Sequence, residues 1–304
     1  MGIKKIIADN LYDFAYAIAY RKISGRDFSS FPEGEGNFRL LKPSLRYWYA
    51  DPLLATINQK DILFMEVFDR KKHKGLIGVS TFDSDGNLSL PEIILEEEFH
   101  LSFPLVFSYR NEWILMPECA DSGQFRFYKL DPETFKPTLI RSIPAEYRVV
   151  DTVVLSKNDD GLVLLGSPEN PENPKQTSLA KYRIGDLRND PMIKLSLPDE
   201  YTQYSYLLRN GGPVLDDGKS KIRILQESTE SEYGHNLIFR RIVNEGENYK
   251  EEDLCKIYPE DIPASLPALY RLQGTHTYSL GQSFEVLDLS FTRPHAGNLS
   301  YNNK

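Results

Sequence analysis

A chain of 304 residues with 40% hydrophobic content can bury a large core, as one domain or two, and residues 1–304 read as one. The formal net charge of −8 and a pI near 5.3 exclude a nucleic-acid backbone as the main ligand and leave no polybasic patch for anionic lipid. Two cysteines, Cys119 and Cys255, are too few for a disulfide framework in a chain of this size and point to a reducing compartment.

The N-terminal stretch MGIKKIIADNLYDFAYAIAYRK is interrupted by Asp9, Asn10 and Asp13, and no window reaches transmembrane length, so a cytoplasmic protein is expected. Aromatic residues make up 12% of the chain and helical periodicity is scarce, which indicates an all-β fold. Between Ala15 and Ile23, large side chains alternate with alanine, favouring a strand over a short helix. Residues 24–37, rich in Gly, Ser and Pro, read as a loop.

From Arg46 the chain becomes repetitive. Tyr47–Leu54, Ile62–Phe68, Leu76–Phe82 and Pro91–Leu95 are short strands separated by turn chemistry, the size and wiring of one propeller blade. A second copy has strands at Pro104–Tyr109, Trp113–Pro117, Phe125–Leu130 and Thr138–Ile143. A third runs VVDTVVLS from Val149, then GLVLLGS, a polar proline-rich insertion at 168–177, and SLAKYRI. A fourth begins with LLRNGGPVL near Leu207 and continues as KIRILQE and NLIFRRIV. A fifth, GTHTYS and FEVLDLSFTR, is two strands short, and the N-terminal segment is expected to supply them and close the ring. The pattern predicts a five-bladed β-propeller of four-stranded antiparallel blades, with a β-sandwich as the alternative.

Polar residues recur on the first or second strand of most copies. Asp51 sits between Tyr49-Ala50 and Pro52, Glu66 in FMEVF, Glu118 in MPEC and Asp151 in VVDTVV. Unpaired buried carboxylates cost several kcal/mol, so four of them on inner strands point to a common pocket or to a net with Arg148 and Arg209. His100 and His276 open copies two and five, with Thr277 following, and Gln226-Glu227 and Tyr233-Gly234 belong to copy four. Amides, tyrosines and carboxylates of this kind suit the hydroxyls and C–H faces of a sugar. P-loop, dinucleotide-fold, nucleophile-elbow, H-E-x-x-H and C-x-x-C motifs are all missing from the sequence.

The succession WYADPLL, FMEVF, KGLIGV, HLSFPLVF, MPE, VVDTVV, GGPVL, Gln226 with Tyr233-Gly234, and GTHT resembles one family over residues 15–293. That family is the β-propeller domain at the N-terminus of plant glucosamine inositolphosphorylceramide transferases and its stand-alone bacterial relatives. It is similar in turn to the five-bladed propellers of the arabinanase and fructosidase clan. The resemblance implies Asp51 as catalytic base, Asp151 as the acid of a middle blade that tunes pKa, and either Glu118 or Glu227 as general acid. From the residues themselves, Tyr49, Glu66, His100, Arg209, Gln226, Tyr233, His276 and Thr277 are expected to bind substrate, with Arg209 or Arg148 holding a donor phosphate. By analogy with arabinanases the resemblance leaves room for a divalent metal near His276, and no other cofactor is expected. The implied activity is glycosyl transfer from an activated sugar donor to a glycan acceptor in bacterial surface-polysaccharide biosynthesis. Glycoside hydrolysis or non-catalytic glycan binding are the alternatives.

Overall fold

The computed structural model describes residues 12–23, 36–216 and 218–294. It is a five-bladed β-propeller, nearly all-β, with a short α-helix at Asp199–Thr202 among the described residues. Blade one is Tyr47–Ile57, Lys60–Asp69, Lys74–Thr81 and Glu92–Leu95, in that spatial order. Blade two repeats the meander as Ser102–Tyr109, Glu112–Glu118, Gln124–Leu130 and Pro137–Pro144. The hairpins opening these blades turn at Asn58-Gln59 and Arg110-Asn111, all four residues at positive φ, as tight two-residue loops demand.

The ring closes as expected. Tyr12–Lys22 pairs along its whole length with Phe284–Pro294, and Arg39–Leu41 adds the outer edge. Arg271–Gly274 and Tyr278–Leu280 form the other side of that sheet, making blade five. The outer portion of the blade is thus N-terminal sequence and the inner portion C-terminal, so no sheet is left half built. Apolar side chains fill the seams between blades. Ala55, Ile57 and Phe64 of blade one meet Val106, Leu115 and Tyr128 of blade two. Ile18 and Tyr20 of blade five meet Tyr49 and Met65 of blade one.

Three readings are corrected. The insertion at 168–177 is not a plain loop: Gly161–Asn170 continues through its start, and Asn173–Thr177 folds back on it as a fifth strand of blade three. Ile193–Leu195 and Lys250–Ile257, unrecognised in the sequence, are the outer strands of blades three and four. The segment 207–215 forms only the bridge Asn210↔Leu225 and the pair Leu215–Asp216. Gly211 and Gly212 lie too close to His276 O and Tyr278 O for any Cβ, so this backbone docks on blade five instead of running as a full strand. The loop reading for 24–37 falls almost wholly outside the described residues. Among the described residues, no helix is long and apolar enough to cross a membrane.

Candidate functional site

The site begins with a repeated backbone fault. In blades one, two and three the first strand slips register after Ala50, Ser102 and Val150. Two residues there oppose one on the partner strand, a β-bulge that re-aims the side chain. The first bulged residue has positive φ each time: Asp51 at 49°, Phe103 at 42° and Asp151 at 45°. A residue with a Cβ in that region stores about 1–3 kcal/mol of strain, and three at one repeat position mark a built feature.

Each bulge is held by a carboxylate of the preceding blade. The Asp51 N–H donates to Asp288 Oδ2 of blade five at 3.2 Å, and Phe103 N–H to Asp51 Oδ2 at 3.2 Å. Asp151 N–H donates to Glu118 Oε2 of blade two at 3.1 Å. The acids therefore both line the centre and join neighbouring blades.

They surround a cavity of about 310 Å³ on the propeller axis, faced by Asp51, Glu66, Glu118, Asp151 and Glu169. Its other lining residues include Trp48, His100, Arg209, Tyr233 and His276. Asp51 is buried, with Oδ1 accepting from the Thr277 hydroxyl at 2.8 Å. Burial raises its pKa, the nearby His276 pulls it back, and Asp151 and Asp288 add to the rise. His276 stacks on Tyr16 at 4.8 Å and sits between Asp51, 3.7 Å away, and Asp288, 2.5 Å away. Burial opposes its charge, but Asp288 and then Asp51 outweigh it, and the imidazole is pushed up to about 9.

Arg209 occupies the fourth blade's place in the cavity. Its Nε donates to Asp151 at 2.5 Å and its Nη1 to Glu169 at 3.1 Å, while Glu118 stands 3.9 Å from Nη2. The guanidinium lies 5.0 Å from the centre of the Tyr233 ring. Burial pushes Asp151 up to about 8 against the pull of Arg209, with Glu118 adding to the rise. Glu118 is likewise raised by burial, with Arg209 opposing.

Both numbers bear on stability. A histidine raised from 6.5 to about 9 stabilises the fold below 6.5 and loses that contribution as pH rises through 9. A carboxyl raised from 3.8 to about 8 binds its proton more tightly in the folded chain, so stability falls with rising pH across that window. The signs agree. Between pH 6.5 and 9 the unfolding free energy from urea titration is expected to drop by up to about 3 kcal/mol from His276 and up to about 2 kcal/mol more from Asp151, and by less in His276→Gln.

The expected site residues divide into three groups. Asp51, Glu66, His100, Glu118, Asp151, Arg209, Tyr233 and His276 all reach the cavity. Gln226 and Thr277 stand behind it: the Gln226 amide donates to Asp151 Oδ2 at 3.0 Å, and Thr277 holds Asp51. Tyr49 and Glu227 are not brought to it. Tyr49 points into the seam with blade five, because strand alternation gives the cavity Trp48 instead. Glu227, at the end of its strand, ion-pairs with Lys256 and accepts from Asn236 at 2.6 Å.

Four participants escaped the sequence reading. Tyr16 and Trp48 are aromatic walls 5.3 Å apart, Glu169 comes from the insertion, and Asp288 lies beneath His276. Asp288 carried the signal used for Glu66, a carboxylate inside an apolar strand, VLDLSF.

Asp51, His276 and Asp288 place one donor atom each within 4.8 Å of one another, the described group that a divalent metal would use. Asp288 Oδ1 already accepts the N–H groups of His276 and Thr277 and Oδ2 that of Asp51, while His276 Nδ1 has no hydrogen-bond partner among the described residues.

Gly75 seats the opposite wall. A Cβ there would stand 2.2 Å from Leu101 O, 2.6 Å from Glu66 Oε1 and 2.9 Å from His100 Cε1. Gly75→Ala is expected to destabilise the fold by about 1–3 kcal/mol, as read from the denaturant midpoint.

Residues 43–259 match the family described as glucosamine inositolphosphorylceramide transferase 1, N-terminal. Glucosamine inositolphosphorylceramide transferase 1 of Oryza sativa subsp. indica is 36% identical over 81 residues, which are 26% of this chain and 11% of that protein. The Arabidopsis thaliana protein of the same name gives the same identity and coverage. The matched stretch is thus about a tenth of the length of these relatives. Among solved structures, an exo-beta-1,3-galactanase from Phanerochaete chrysosporium is similar with TM-score 0.55 at 12% identity, over 71% of this chain and 53% of that one. A GH62 hydrolase in complex with xylotriose is similar with TM-score 0.51 at 11% identity, over 90% of this chain and 97% of that one. At such identities the likeness is one of fold. The family match covers most of the chain, and the chain belongs to the family of the N-terminal domain of glucosamine inositolphosphorylceramide transferase 1.

Proposed function

We propose that the axial cavity is the site of a carbohydrate-active enzyme performing glycosyl transfer, with Asp51 as the base that takes the proton of an acceptor hydroxyl. The observation that carries this reading is the setting of Asp51. It faces the cavity from a strained bulge, both oxygens are anchored, and burial raises its proton affinity. A carboxylate whose proton affinity is raised and which is held in one geometry suits proton abstraction from a hydroxyl. Trp48 and Tyr16 offer faces for sugar C–H surfaces, and the volume is at the small end of ligand pockets, about 300–1,000 Å³. The relatives are named glucosamine inositolphosphorylceramide transferases, which supports transfer of a sugar, and we propose a glycan acceptor and surface-polysaccharide biosynthesis as the setting.

Hydrolysis, with water as acceptor, is the second reading. It is favoured by Glu66 and Glu118 facing the same cavity, since hydrolysis needs an acid as well as a base.

A thermal-shift screen against monosaccharides, oligosaccharides and nucleotide sugars tests the reading. A ligand at one hundred times its dissociation constant stabilises the fold by about 2.7 kcal/mol. Stabilisation by a saccharide, retained in Asp51→Asn, is the expected result. A screen in which no saccharide or nucleotide sugar shifts the melting temperature would remove the carbohydrate reading altogether.

A further inference from the structure

Most carboxyls around the cavity have their donors: Thr277 and the Phe103 amide for Asp51, the Asp151 amide for Glu118, Arg209 for Asp151 and Glu169. Glu66 is different. It is 5% exposed, yet its Oε1 has no hydrogen-bond partner among the described residues. The carboxyls of Asp51, Glu118 and Asp288 face it with like charge when ionised, and Asp151 adds to them only toward pH 8. An ionised carboxylate there would be desolvated and repelled as well as unpaired, whereas a neutral carboxylic acid is spared the desolvation and repulsion of a charge. Burial first, and then Asp51 and Glu118, raise its pKa well above the ordinary carboxylate range.

His100 completes the arrangement. The Gly75 N–H donates to His100 Nδ1 at 2.9 Å, so Nδ1 is the acceptor and the proton of the neutral ring is on Nε2. Nε2 lies 3.4 Å from Glu66 Oε1, beside the acid without a hydrogen bond to it. Burial lowers the pKa of His100 and keeps the ring neutral. The absent Cβ of Gly75 is what lets both side chains sit there.

We propose, resting on the glycosyl-transfer reading, that Glu66 is the proton donor of the reaction: a neutral acid positioned by His100 that protonates the departing oxygen of an O-glycosidic donor. The C1–O bond of the donor breaks, and its oxygen leaves as an alcohol carrying the Glu66 proton. The acceptor oxygen bonds to C1 and its proton passes to Asp51. The cycle closes when one proton returns from Asp51 to Glu66. No oxidant, metal or other co-reactant enters. A nucleoside diphosphate, by contrast, departs as an anion that needs cations more than an acid; of the cations lining the cavity, Arg209 is engaged by Asp151 and Glu169, Arg148 by Glu169 and Asp121, and Lys175 donates to Glu230 O. A neutral acid at Glu66 therefore suits a glycoside donor with an alcohol leaving group.

The test compares 4-nitrophenyl glycosides, whose leaving group needs no proton, with methyl glycosides, whose leaving group does, using both anomers of glucosamine, galactose and arabinofuranose. Glu66→Gln is expected to lose methyl glycoside turnover about 100- to 10,000-fold while keeping the nitrophenyl substrates, and to lose the basic limb of the pH–rate profile. His100→Gln is expected to shift that limb without changing leaving-group preference. Where Gln disturbs folding, Glu66→Asp keeps the carboxyl but withdraws it, and is expected to lose the same substrates. A wild-type minus Glu66→Gln infrared difference spectrum at pH 7 that shows the carbonyl band of a neutral carboxylic acid, over and above that of Asp151, supports the assignment, and a difference spectrum without that band overturns it. A Glu66→Gln enzyme that slows both substrate classes equally, or neither, overturns the proton-donor role and leaves glycosyl transfer standing. A wild type that turns over neither class overturns the transfer reading, and the role of Glu66 with it.

Discussion

Asp51→Asn is expected to lower turnover by about 100- to 10,000-fold, the usual range for a general base, while the protein folds normally. The isostere keeps the shape and removes the acceptor for the hydroxyl proton. It also fits the existing contacts in only one orientation. The amide oxygen must face the Phe103 N–H, because two N–H donors cannot face each other. The NH2 group then meets the Thr277 hydroxyl, which can turn to accept. Removing one negative charge from an acid-rich cavity also relieves repulsion, so the denaturant midpoint is expected to hold or rise. A variant that loses turnover together with stability would mean that Asp51 serves the ring alone.

Arg209→Met has the largest structural effect expected. Arg209 is buried and joins Asp151 and Glu169, with Glu118 close by. Breaking a buried ion pair from one side costs about 3–5 kcal/mol, because the partner charges remain without compensation. The cost depends on pH in a direction fixed by those partners. Without the guanidinium, Asp151 and Glu118, already raised by burial, rise further above their values in the unfolded chain. A carboxyl raised on folding destabilises most above its folded pKa, and the penalty shrinks as pH falls toward the unfolded value of about 4. Because wild-type Asp151 already holds its proton below about 8, urea titrations of variant and wild type at pH 9.5 and 7 are expected to show the gap narrowing at the lower pH. A gap independent of pH would assign the loss to packing of the side-chain stem instead.

The meander of blades one and two was legible because each strand alternates and each turn is local. Tyr47–Ile57 and Ser102–Tyr109 need nothing from distant sequence to be recognised. What failed depends on distance. The segment 207–215 looks like a strand, but Tyr278 N–H donates to Gly211 O, and that partner lies a blade away. Lys250–Ile257 reads KEEDLCKI and has little apolar pattern, since an outermost strand has one neighbour and faces solvent. In the site, acids within apolar runs were informative because their burial is costly wherever the strand goes. Choosing Tyr49 over Trp48 required knowing which face of the strand turns inward, and Glu227 required knowing where its strand ends. Both are properties of register, which blade packing sets and local sequence does not.

The hydrogen bonds from each bulge to the acid of the preceding blade also govern what the pocket can admit. Asp288, Asp51 and Glu118 are each gripped by backbone of the next blade, so the separation of these acids is tied to the circumference of the ring. A ligand too large for the cavity cannot push one acid aside alone; it must force neighbouring sheets apart. Selectivity for size is then set by the seams, by residues such as Tyr49 and Met65 that never meet the ligand. Widening the specificity of this protein calls for changes between the blades rather than in the pocket wall.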